Sequence, residues 1–183
     1  MNPLSEESLL LAKNWETYQS LQQTEHQLRT EIAAFLAALE ADLTKQKWWK
    51  NDWSFVAYDP TEIYISNQNW VSQYEEYVVS IGVEGFTAER IFGMESAPQL
   101  YVRSSDYQLG EILTEKLQEA SQKLPGELDY SASRYLVVQP LSKVLPEEVE
   151  KFDKLLRSPI VKFFSDSANI LWKFNDLIEN AVS

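Results

Sequence analysis

From Trp53 to Phe86 apolar and aromatic side chains return at every second position, and this alternation constrains the fold more than any other stretch. WSFVAYD, IYISN and YVVSIGVEGF each carry the period of a half-buried strand. Asp59, Pro60, Thr61 and Glu62 join the first two. Proline at the second corner suits a type I turn, so a hairpin is expected. In the third run Tyr77, Val79, Ile81 and Val83 are assigned to one face. Ser80 and Gly82 take the other, where the glycine leaves room for a close neighbour.

The flanking sequence is helical. No glycine or proline interrupts Leu4 to Asp59, and Leu11, Trp15, Tyr18, Leu21, Leu28, Ile32, Phe35, Leu39 and Leu43 fall at steps of three, four or seven. Ser5 is the expected N-cap, with Glu6 and Glu7 in the first turn. One unbroken helix here would be about 60 Å long. The polar run Gln22–Gln27 is therefore the expected kink or break. Unbroken, the helix would protrude and invite homodimerisation as a coiled coil. Leu100–Ser104 reads as a further strand and Ile91–Met94 as another candidate. Gln108–Leu124 reads as a helix ended by Pro125-Gly126, and Arg134–Gln139 as a short buried strand. Pro146 opens a helix that Pro159 is expected to break, and a last helix runs to about Ala181.

The expected fold is one α+β domain over residues 1–183. Residues 1–47 form an N-terminal helical arm, 48–140 a mixed or antiparallel sheet of about four to six strands, and 146–183 two C-terminal helices. The long helix should pack on the sheet and the remaining helices should close its other side.

Composition removes several chemistries. There is no cysteine, which excludes disulfide scaffolds, thiolate metal sites and a cysteine nucleophile. The single histidine, His26, lies in a polar helical stretch and cannot form an imidazole cluster. Five glycines fall in no phosphate-cradling motif. No run nears the ~18 apolar residues of a membrane span, and acids stand where a secretory leader carries bases. A cytoplasmic protein that crosses no membrane is expected.

Net charge is −12. Acids outnumber bases nine to three between residues 48 and 107, and the two balance at seven each from 131 to 183. A field of that sign repels phosphate backbones and disfavours nucleic acid. It suits a protein partner with a basic surface, for which Glu75, Glu76, Glu84, Glu89 and Glu95 are the candidate residues. Arg90 and Arg103, set among these acids, are expected in ion pairs. Trp48, Trp49, Trp53 and Trp70 are candidates to line an aromatic pocket, or to cap the core where helix meets sheet.

The order helix, three strands, helix, strand, with IYIS, YVVSIGVEGF and IFGM in its middle, resembles the core of the PD-(D/E)XK nuclease superfamily over about half of the chain. The resemblance implies a metal-dependent nuclease in which Asp59 and Glu84 would be a carboxylate pair for Mg²⁺. The family pattern places a lysine two positions after the second carboxylate. Here Val83-Glu84-Gly85-Phe86 has none, so the resemblance implies a degenerate or repurposed core. Without an assembled catalytic set or an implied cofactor, the expected function is a non-enzymatic protein-binding module: an inhibitor, an immunity-type partner or an accessory subunit. The alternative is the nuclease-like enzyme.

Overall fold

The computed structural model describes residues 5–50, 52–72, 76–127 and 134–182. In chain order these form α1 (Glu6–Lys13), α2 (Trp15–Leu43), β1 (Trp53–Asp59), β2 (Glu62–Asn67), β3 (Val79–Glu84), α3 (Ala88–Phe92), β4 (Gln99–Ser104), α4 (Tyr107–Glu119), β5 (Tyr135–Pro140), a 3₁₀ turn (Pro146–Lys151), α5 (Phe152–Leu171), a second 3₁₀ turn (Trp172–Phe174) and α6 (Asn175–Val182). The fold is α+β, as the hydrophobic periods require.

The five strands form one antiparallel meander in the order β1-β2-β3-β4-β5. The hairpin β1–β2 turns where Asp59 accepts hydrogen bonds from the Thr61 amide at 2.6 Å and its hydroxyl at 2.8 Å. Ile63, Ile65, Val79, Ile81, Val83, Leu100 and Val102 alternate onto one face and are buried. α2, α4 and α5 bring their leucine, isoleucine and phenylalanine stripes to the same core. Phe35 stacks on Phe86, with centroids 5.6 Å apart, and meets Phe152 edge-on at 5.0 Å. Arg157 of α5 pairs with Asp42 of α2 and lies 5.0 Å over the Phe35 ring, which ties the two long helices together.

Four expectations need correction. First, α2, α4 and α5 all pack on one face of the sheet, and among the described residues no helix packs on the other. Second, the helix break falls at Asn14 and not in Gln22–Gln27. The Asn14 side chain donates to the Leu10 carbonyl at 2.8 Å and closes α1. The polar run stays helical because its side chains bond one turn away: Gln22 to Tyr18, Thr24 to the Ser20 carbonyl, Gln27 to Glu31, and Arg29 to Glu25. Third, Pro159 does not end α5, which runs through it for 20 residues. Burying Leu156, Ile160, Phe163, Phe164 and Leu171 along one stripe outweighs the roughly 3 kcal/mol that an interior proline costs. Fourth, Ile91 and Phe92 belong to the short helix α3, which Thr87 caps by accepting from the Arg90 amide at 3.3 Å.

Candidate functional site

The helix-free face of the sheet concentrates polar and aromatic groups. Strand register sets them side by side. Tyr64 lies opposite Gly82, and Gly82 opposite Tyr101. Ser80 lies opposite Arg103, and Arg103 opposite Tyr135 after a bulge in β4–β5. Gly82 has no side chain, so the Tyr101 ring lies across its Cα and is fully buried there. A Cβ at that position would fall 2.3 Å from Tyr101 Cζ, 2.4 Å from its hydroxyl oxygen and 2.8 Å from the Ile63 carbonyl oxygen of β2.

Two glutamates hold the aromatic groups. Tyr101 donates its hydroxyl hydrogen to Glu62 Oε1 at 2.7 Å, and Tyr135 donates to Glu84 Oε2 at 2.9 Å. Arg103 Nη1 is 3.5 Å from the same Glu62 oxygen, while its Nε donates to Ser80 Oγ at 3.2 Å. The guanidinium lies 5.1 Å from the Tyr101 centroid and 5.7 Å from that of Tyr64. Tyr101 and Tyr135 meet edge to face at 5.6 Å, as do Tyr64 and Tyr77 at 6.2 Å. Burial pushes the Tyr101 hydroxyl far above the usual tyrosine range, and the bond to Glu62 adds to it against the opposing Arg103. Tyr135 is pushed up to about 12 by burial first and then by Glu84. Tyr64 is raised by burial, against Arg103. Tyr101 and Tyr135 are neutral hydrogen-bond donors at physiological pH, pinned by carboxylates rather than activated as acids or nucleophiles.

The sequence candidates distribute as follows. Glu84 stands on this face. Asp59 ends β1, with β2 lying between it and Glu84, so their backbones are roughly 9–10 Å apart across the sheet. Asp59 is committed to the turn, and its two Thr61 hydrogen bonds hold its carboxyl below the usual range. Among the described residues no group of three or more Asp, Glu or His side chains is placed to hold a metal ion. Glu76 is exposed beside the start of β3. Glu89 pairs with Arg29 of α2, and Glu95 lies 3.8 Å from Arg90, so neither joins Glu84 on the tyrosine face. Glu75 lies outside the described residues.

The tryptophans form a chain of rings from surface to core: Trp49 to Trp48 at 5.5 Å, Trp48 to Trp53 at 5.4 Å, and Trp53 to Trp70 at 5.2 Å. Trp70 is fully buried and donates Nε1–H to Asn175 Oδ1 at 2.9 Å. A cavity of about 220 Å³ lies beside the chain, lined by Trp48, Lys50, Trp53, Ala168, Asn169 and Trp172. Trp48 and Trp53 thus share a cavity with Trp172, while Trp70 joins helix to sheet in the core.

Sequence reasoning missed Glu62, Tyr64, Tyr101 and Tyr135 as members of one surface. The signal was present in QLYVRS, where Tyr101 and Arg103 alternate with the buried Leu100 and Val102. Arg103 was expected in an ion pair, and Glu62 is its partner. Tyr77 was assigned to the face of Val79. It precedes the regular strand, and its ring turns to Tyr64 instead.

Comparison with family models, with curated proteins and with solved structures finds no match to this chain. Among the described residues no helix is long and apolar enough to cross a membrane.

Proposed function

We propose that the chain is a non-enzymatic protein-binding module and that the tyrosine face is its docking surface. The observation that carries this reading is the gathering of Tyr64, Tyr77, Tyr135 and Arg103, over the buried Tyr101, on a sheet face on which no described helix packs. Tyrosine and arginine dominate the energetics of protein interfaces because they offer large contact area and directed hydrogen bonds at low conformational cost. Here Tyr135 and Arg103 are already held by Glu84, Glu62 and Ser80, so binding need not order them.

The partner that fits is basic. The field of a −12 chain accelerates its approach, and lysine or arginine side chains stack on phenol rings. Inhibitor, immunity-type partner and accessory subunit are all roles for such a surface. The acidic, cysteine-free composition fits a cytoplasmic setting.

The test is affinity capture with the immobilised full chain, run beside a Tyr64→Ala/Tyr77→Ala variant of unchanged melting temperature. A specific partner should be retained at about 50 mM NaCl, released at about 500 mM, and lost on the variant. A partner held equally by the variant, or indifferent to salt, would refute the reading.

A further inference from the structure

The N-terminal helices leave the body of the protein. From Glu6 to Gln27 every residue is exposed except Leu9, which is half-covered. At 1.5 Å per residue this arm is about 33 Å long. One side of it is apolar: Leu10 is 65% exposed, Leu11 42%, Trp15 49%, Tyr18 37% and Leu21 64%. Leu11, Trp15 and Tyr18 step by four and three, and Leu21 leads to Leu28 by seven. This stripe continues the one that Ile32, Leu36 and Leu39 bury against the body. A helix with little packing has little stability of its own, and an uncovered tryptophan beside an uncovered tyrosine calls for a cover.

We infer that a second copy of this chain covers the stripe, arm against arm and antiparallel. Charge selects the occupant. Between Ser8 and Thr24 the only charged residues are Lys13 and Glu16, so the whole net charge of −12 lies outside the segment that carries the stripe. The bodies of two copies repel, whereas this segment carries no net charge and meets its copy without that repulsion. An antiparallel crossing holds those acidic bodies at opposite ends, whereas parallel arms would place them side by side. Area is sufficient. The five side chains expose roughly 500 Å² per copy, and with their polar flanks a pair buries on the order of 1,200 Å², the lower end of specific interfaces. An isologous contact of this kind closes as a two-fold dimer. The inference rests on the arm alone, so it stands or falls separately from the tyrosine face.

Sedimentation velocity on the full chain tests it. The expected mass is twice the 21.2 kDa chain at concentrations of about 10 μM. Trp15→Glu combined with Leu21→Glu should weaken the dimer by roughly 100-fold or more. These side chains are solvent-exposed in the monomer, so its melting temperature should not change. The natural chain has no cysteine, so single pyrene labels can be placed freely. A label at Thr17→Cys, near the middle of the stripe, should give excimer emission. A label at Glu6→Cys, at the arm's end, should not. A monomer at every concentration, a dimer indifferent to the glutamate pair, or excimer emission at Glu6 would overturn the inference.

Discussion

Gly82→Ala tests the packing that organises the tyrosine face. The added Cβ would lie 2.3 Å from Tyr101 Cζ, at the hydroxyl end of the phenol, and 2.8 Å from the Ile63 carbonyl of the neighbouring strand. Backbone on that side cannot withdraw without breaking the β2–β3 ladder, so the ring must move. Overpacking of this kind costs about 1–3 kcal/mol. Moving the ring also weakens the 2.7 Å bond from Tyr101 to Glu62, a charged hydrogen bond worth about 1.5–3 kcal/mol. Replacing glycine by alanine returns about 0.5–1 kcal/mol through the unfolded state. The expected net loss is about 2–4 kcal/mol. For a chain of this size each kcal/mol shifts the melting temperature by about 2–4 °C, so a drop of roughly 5–12 °C is expected by calorimetry or thermal circular dichroism. Tyr101→Leu should relieve the clash, making the double variant less destabilised than the two single losses added together. A drop under about 2 °C, or strict additivity with Tyr101→Leu, would refute the reasoning.

The Tyr135 hydroxyl, raised to about 12 by burial and by Glu84, gives an alkaline signature. An unfolded tyrosine titrates near 10. The folded value is the higher one, so the neutral phenol favours the fold; its contribution is intact below about pH 10 and is lost between about 10 and 12. Melting temperatures recorded across that window should fall less steeply for Tyr135→Phe, and an unchanged slope would count against the Tyr135–Glu84 bond. Pro159→Ala should stabilise, because alanine supplies the missing amide to the Leu155 carbonyl and removes the ring from a helix that continues through it. About 1 kcal/mol, or roughly 2–4 °C, is expected in thermal melts. A loss of stability would mean that the proline ring packs better than its backbone effect costs.

Much of the architecture is legible in local patterns. The alternation of WSFVAYD and the Asp59-Pro60 corner place β1 and its turn, and Ser5 caps α1 by accepting from the Ser8 amide at 3.2 Å. What local patterns cannot carry is which side of the sheet each helix covers, since that depends on contacts such as Arg157 with Asp42, 115 residues apart. Pro159 misleads for the same reason: its cost is local, while the stripe that outweighs it is tertiary. The tyrosine face was hidden because no single segment holds it. Glu62, Gly82, Tyr101 and Tyr135 belong to four strands, and only their register makes them neighbours.

The meander also prescribes an order of assembly. Every strand pairs with its neighbour in the chain, so the sheet grows without bringing distant segments of the chain together. The clasp between α2 and α5 must wait for the far end of the polypeptide, because its partners come from opposite ends of the fold. Pulse-labelled amide exchange during refolding should therefore protect β3 and β4 before the body-facing half of α2, and a cell synthesising this chain would hold a finished sheet with part of its helical cover missing until α5 emerged.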